Sequence, residues 1–408
     1  MTEFRRRHLL AGGAALLAPL PIARAQQAAP VRIGVLADFS GPYRDTSGPT
    51  ALACARQAAE DLGLAARGIT VEFVQGDHQN KPDVALALAR RWIDQDGVDM
   101  ICEVNNSAIA LAVAGLVQEK NKVQVNTGAL SAALTGERCS PNTVHWTADT
   151  YMLAKTVGSA TVRNGGDSWF FITADYAFGH QMEKDLTRFI QAAGGKVAGS
   201  ARFPFPGTTD FASFILQAAA SRAKVVGLLM AGADMVNCIK QVQEFGLSRR
   251  GVKVAGTPMF VTDIHALGLE TAQGLLLAEA FYWDLNDRTR AFLNRVKPKV
   301  PNNWPNQEQA GTYSGVLHYL KAVADLGLPA AKASGAEVVR RMQAMPTDDD
   351  CFGPGTLRAD GRKIHPSYLF EVKAPGESRG AWDYYNLRGT LAAEEAFRPL
   401  KEGGCPLV

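Results

Sequence analysis

The chain has 408 residues, more than a single hydrophobic core accommodates, so two or three domains are expected. Its 43 basic and 40 acidic side chains leave a formal net charge of +3, and that excess lies in an N-terminal segment expected to be removed. Neither nucleic acid nor an acidic membrane surface is therefore implied as a partner. The six cysteines contain no C-x-x-C pair, which argues against a zinc ribbon or a thioredoxin-type site.

Taken in chain order, Arg5, Arg6 and Arg7 precede the apolar run LLAGGAALLAPLPIA, which ends at ARA before Gln26. A basic start, a short apolar stretch and a small-residue site are the parts of an export signal. Residues 1–25 are read as that signal, cleaved near Ala25, which places the mature protein in the periplasm. Arg6-Arg7 followed by Leu9-Leu10 suits the twin-arginine route, and a basic start serves the Sec route as well. No later apolar run reaches the ~18 residues that a membrane span needs.

Beyond the signal one unit repeats: a β-branched run, a polar or glycine-containing loop, then a helical stretch. That alternation marks a parallel sheet flanked by helices. The first set is VRIGVLADF from Val31, ITVEFVQGD from Ile69, VDMICEV from Val98 and VQVN from Val123. The second is SWFFITAD from Ser168, GKVAGSARF from Gly195, AKVVGLLMAG from Ala223, VKVAGTPMF from Val252 and GLLLAEAFYW from Gly274. Intervening stretches such as KPDVALALARRWIDQDG carry apolar residues near helical spacing. Continuous apolar strands are those buried on both faces.

Two such sets predict an α/β protein of two doubly wound, parallel-sheet lobes. Late helices (DRTRAFLNRV, then NQEQAGTYSGVLHYLKAVADLG) and a terminal hairpin (SYLFEVKAPGESRGAWDYYNLRG) could return to either lobe; helices rejoining the first lobe and the hairpin the second would make a hinge of several crossing segments. The expected division is residues 31–148 with 284–345, residues 149–283 with 346–395, and a tail over 396–408. Cys139 and Cys405 both sit in loop-like, proline-containing contexts. They are the candidate disulfide pair, although sequence alone leaves the connectivity open. Cys54 and Cys238 fall among helical-period residues and read as small buried hydrophobes.

Ligands of open parallel sheets bind beyond the carboxyl ends of the strands, where loops converge and helix N-termini offer free N–H groups. The loops there are ADFSGPYRDTSG, QGDHQNK, EVNNSA, NTGALS, ADYAFGH and AGADMVN. Ser107 and Ser131 are placed as N-caps of two helices, which together could hold one carboxylate; plain capping is the alternative.

In this order, VRIGVLADFSGPY, NNSAIALAV, NTGALSAALTG, TADYAFGH and TTDFASFILQAAASRAKVVGL resemble the branched-chain amino-acid type of periplasmic solute-binding protein of ABC transporters. The resemblance runs from about Val31 to the tail. It implies a type I periplasmic binding fold with two lobes, three crossovers, an enclosed ligand and delivery to an ABC permease in the inner membrane. It also implies a site. Asn106 and Ser107 match the family's carboxylate-binding segment, and Ala129, Leu130 and Ser131 match its second carboxylate- and amino-binding loop, with Gly128 beside them a further candidate contact. Tyr43 and Asp45 lie on the loop after the first strand. Across the cleft, Phe178 stands where the family often has Tyr, with Tyr176 nearby and Ala231, Gly232 and Asp234 on the next loop.

The chain departs from the pattern after VKVAG, where the family places an acidic residue for the ligand's ammonium and this sequence reads Thr257, Pro258, Met259, Phe260. A buried ammonium without a partner is costly, so an amino-acid ligand is weakened unless Asp234 or Asp263 substitutes. Phe178, Phe260, Tyr176, Trp146 and Tyr282 offer rings that suit an aromatic acid instead.

No H-E-x-x-H, G-x-S-x-G, Walker or G-x-G-x-x-G motif is present. Ser314 and His318 stand four apart within a helical stretch, which reads as a packed face and not as a nucleophile and base. The expectation is a monomeric, non-enzymatic protein with no cofactor and no metal, which binds a small carboxylate-bearing solute, an aromatic acid or an amino-acid-like one, for import. A ligand sensor of the same fold, serving a signalling partner, is the alternative.

Overall fold

The computed structural model describes Met1 and residues 29–408; the export signal expected over residues 1–25 lies outside the described residues apart from Met1. Strands β1 (Val31–Ala37), β2 (Val71–Asp77), β3 (Met100–Glu103), β4 (Val123–Asn126) and β5 (Thr143–His145) form a parallel sheet in the order β2-β1-β3-β4-β5. Ile33, Val35, Ile101, Cys102 and Val125 are fully buried, because helices cover both faces of the sheet. One of these, Pro82–Asp94, starts on proline and has Asp83 in its first turn and Arg91 in its last. That arrangement suits both its free ends and its dipole. Its Ala85, Ala89, Trp92 and Ile93 are the buried face.

A second parallel sheet has β6 (Ser168–Ala174), β7 (Lys196–Phe203), β8 (Val225–Leu229) and β9 (Lys253–Gly256) in the order β7-β6-β8-β9. The apolar run from Gly274 does not extend it. That run becomes β10 (Leu276–Glu279), which pairs antiparallel with a later strand in a separate sheet. The remaining strands are β11 (Thr356–Leu357), β12 (Lys363–Ile364), β13 (Ser367–Val372) and β14 (Tyr385–Leu391). Their sheet order is β10-β13-β14, with β13 and β14 forming the expected terminal hairpin and β11 pairing with β12. An apolar run buried on both faces reads alike whichever way its neighbour points.

The chain crosses to the second lobe after β5 and comes back after β10. Helices Asp287–Val296 and Gln307–Leu326 then pack on helix Gly48–Leu62 of the first lobe. Arg362 bridges to His145 of β5, so part of the segment expected in the second lobe, around β11 and β12, lies against the first. With β13 the chain crosses once more, and the tail returns to the first lobe, where Cys139 and Cys405 form a disulfide with Cα atoms 5.6 Å apart. No helix among the described residues is long and apolar enough to cross a membrane.

Candidate functional site: a closed cleft between the lobes

The loop after β1 is organised by buried Asp38. Its carboxylate accepts the N–H groups of Ser40 (3.2 Å), Gly41 (2.6 Å) and Tyr43 (2.9 Å), and the side-chain amide of Asn80 at 2.7 Å. Tyr43 is thereby fixed at the cleft. At the end of β3, Glu103 and Val104 take left-handed backbone angles (φ 75° and 57°), uncommon for a β-branched residue, and this bend turns Asn105, Asn106 and Ser107 toward the second lobe. Gly128 is required beside them. A Cβ there would stand 2.5 Å from Cβ of Asn105.

The caps differ from expectation. Asn106, not Ser107, caps helix Ser107–Glu119, accepting from the N–H groups of Ala108 (3.0 Å) and Ile109 (3.2 Å). Both residues have capping chemistry, but the Asn106 side chain reaches the two N–H groups and leaves the Ser107 hydroxyl to accept from the N–H of Ser131 at 3.2 Å. Ser131 caps only a 3-10 turn, Ala132–Thr135, so the expected second helix terminus is absent from this loop.

A narrow cavity lies between the lobes, an interdomain position of the kind where small-molecule sites are found. It is lined by Tyr43, Thr46, Asn105, Ser107, Gly128, Leu130 and Glu308 on one side and by Tyr176, Phe178, Ala231 and Pro258 on the other. Seven expected residues thus meet there: Tyr43, Ser107, Gly128, Leu130, Tyr176, Phe178 and Ala231. Asn106, Ala129 and Ser131 shape the loops without lining the cavity.

The other expected residues lie elsewhere. The Asp45 carboxylate is exposed and pairs with Arg44 at 2.8 Å, because its backbone carbonyl is what faces inward, accepting from Asn303 and Gln309. Trp146 is wholly buried and donates to Ser314 Oγ at 2.6 Å. Phe260 is buried in the core at the start of helix Val261–Leu267, and Tyr282 donates to the carbonyl of Trp382. Such rings read as cleft or core alike in sequence, and here packing claims them. Asp234 does not line the cavity. It lies near enough to Tyr43 and Tyr176 to oppose ionisation of their phenols, and burial pushes its own carboxyl up to about 7. Ser314 and His318 do not pair: Ser314 donates to Asp349 and His318 bonds the carbonyl of Met342.

Thr46, Asn105, Pro258 and Glu308 line the cavity without having been singled out. Glu308 comes from the second position of helix Gln307–Leu326, which enters from the crossover, whereas the expected site was drawn from strand-end loops alone. In sequence, Asn306 marks the start of this helix but not its place at the cavity. Burial holds its carboxyl well above the usual range, and the nearby Glu103, Asp263 and Glu279 add to the effect. Among the described residues its side chain has no hydrogen-bond partner, and no Lys, Arg or His lines the cavity. Glu308 is the acidic side chain on this cavity wall among the described residues.

The lobes are closed on each other. The N–H of Ala233 donates to the carbonyl of Pro42 at 2.9 Å. Gly232 allows this approach, since a Cβ there would stand 2.3 Å from that carbonyl oxygen.

This architecture has known counterparts. The family model described as periplasmic binding protein matches residues 30–380. The chain belongs to the periplasmic binding proteins of ABC transporters. A periplasmic binding protein from Burkholderia mallei is 43% identical over 93% of this chain and 99% of its own, with a TM-score of 0.88. A branched chain amino acid ABC transporter periplasmic ligand-binding protein from Burkholderia xenovorans LB400 is 39% identical over 92% of this chain and 99% of its own, with a TM-score of 0.80. An R. palustris ABC transporter solute-binding protein in complex with benzoate shares the fold at 20% identity, over 93% and 100% of the two chains, with a TM-score of 0.80. No curated protein matches the chain. This periplasmic binding protein is accordingly a solute-binding component of a transporter.

Proposed function

We propose that this binding protein captures a small zwitterionic solute of the amino-acid type in the interlobe cleft and hands it to an inner-membrane ABC permease. The solute's carboxylate lies at the start of helix Ser107–Glu119, where first-turn N–H groups and the Ser107 hydroxyl favour an anion. Its ammonium group faces Glu308, and an aliphatic side chain faces Leu130 and Phe178. Glu308 carries this reading. A buried carboxyl with no hydrogen-bond partner among the described residues is completed by a cation, whose charge draws its raised titration back down. A plain anion meets no basic side chain among the residues described around this cavity. The 39% identical relative, described as a branched chain amino acid transporter component, supports the same class. A ligand touching both lobes shifts them toward the closed form by its contacts with the second.

An aromatic acid is the second reading, favoured by the rings of Tyr43, Tyr176 and Phe178 on the cavity. A thermal-shift series separates the two, because a true ligand raises the melting temperature increasingly with concentration. L-leucine, L-isoleucine and L-valine are expected to do so. A rise with benzoate or 4-hydroxybenzoate alone selects the aromatic reading. Export after cleavage near Ala25 belongs to the same proposal, and N-terminal sequencing of periplasmic material reads it directly.

A further inference from the structure

We infer that Asn105 holds its side-chain amide N–H group into the cleft as a donor for a ligand oxygen, and that His78 fixes that orientation. The backbone donors decide the matter. Two N–H groups converge on this network and can only donate, so each atom they meet must accept. The N–H of Asn80 points at His78 Nδ1 at 3.0 Å, so Nδ1 carries no proton and the hydrogen of the neutral ring sits on Nε2. His78 Nε2 then donates to the Asn105 side chain at 2.8 Å, and the N–H of Asp38 reaches the same atom at 3.3 Å. That atom is therefore the carbonyl oxygen Oδ1. Reversing the amide would set its hydrogens against two donors.

The rest of the network leaves His78 no alternative. Asn106 Oδ1 is taken by the helix N–H groups it caps, so its amide donates to Asn80 Oδ1 at 3.1 Å, and Asn80 in turn donates to Asp38 at 2.7 Å. His78 is fully buried and burial keeps its ring toward the neutral form. What remains is Asn105 Nδ2: buried, without a partner among the described residues, on a residue only 6% exposed that lines the cavity. Buried donors are seldom left unpaired. A carboxylate or carbonyl oxygen in the cleft completes this one, next to the Ser107 hydroxyl, while Glu308 serves the opposite polarity. The inference rests on the cleft being the ligand site. His78 acts through Asn105 as a positioning residue.

The test uses the full mature protein, with NMR of isotope-labelled ligand-free material beside calorimetry with L-leucine as the probe. Expected are the Nε2–H tautomer at His78 and through-space contacts from the Asn105 amide hydrogens to Leu130 and Tyr43. In His78→Leu these contacts scatter, and in His78→Gln, which keeps a donor, they are restored. Asn105→Ala is expected to weaken L-leucine binding about tenfold or more and also to lower the unfolding midpoint, because the His78 and Asp38 donors lose their acceptor. Amide hydrogens found against the His78 ring, or unchanged L-leucine affinity in Asn105→Ala, overturn the inference. If the parent protein does not bind L-leucine, the amino-acid reading of the cleft fails, and the NMR contacts alone decide the orientation of Asn105.

Discussion

The phenol hydroxyls of Tyr43 and Tyr176, one from each lobe, meet at 2.8 Å. Both rings also stack on Phe205, with centroids 5.2 Å and 4.6 Å away. Phe205 is absent from the cavity wall, so its contribution goes to the closed form and not to ligand contact. Tyr43→Phe removes one hydrogen bond, about 1 kcal/mol, and is expected to lower affinity about fivefold. Phe205→Ala is expected to expand the ligand-free protein in small-angle scattering. Scattering identical to the parent, with unchanged affinity, contradicts this role.

Buried carboxyls give a definite pH response. Burial pushes Asp263 and Glu279 up to about 8 and Asp234 up to about 7, whereas the same groups in the unfolded chain titrate near ~4. The folded state therefore binds more protons at neutral pH, and the stability these groups contribute is lost as pH rises toward 8. The buried histidines His78, His145 and His365 are shifted down by burial, so their contribution falls away only below their unfolded value of ~6.5. Urea denaturation is expected to show stability declining from about pH 6.5 to 8. Glu279→Gln is expected to flatten that slope. A rise over the interval contradicts the assignment.

The Cys139–Cys405 disulfide spans 266 residues and pins the tail to the first lobe. Removing a disulfide typically costs about 2–5 kcal/mol. Cys405→Ser is therefore expected to lower the melting temperature of the oxidised protein, and dithiothreitol is expected to do the same to the parent. Equal melting of Cys405→Ser and the parent contradicts a structural role.

The legible part of this protein was its repetition. Nine of the predicted runs correspond to β1–β4 and β6–β10, because strands covered on both faces must be apolar along their length. β5 escaped notice since Thr-Val-His is short and half polar, and it is held by β4 and the Arg362 bridge. The Gly274 run reads as a strand in the sequence but pairs in a separate antiparallel sheet, for direction leaves no mark on an apolar run. Tyr43, Ser107 and Phe178 were found from loops that end strands. Glu308 was not, since its place at the cavity depends on how the Gln307–Leu326 helix re-enters the first lobe, a tertiary relationship with no local signature. Trp146 and Phe260 show the converse: a ring near a predicted cleft is as readily a core residue.

The central claim is that an ammonium-bearing solute sits between Ser107 and Glu308. A crystal structure of the protein with L-leucine tests it most directly. The account predicts the ligand nitrogen within ~3 Å of the Glu308 carboxyl and the ligand carboxylate at the first turn of the Ser107 helix. A ligand seated with its carboxylate against Glu308, or bound outside the interlobe cavity, contradicts it.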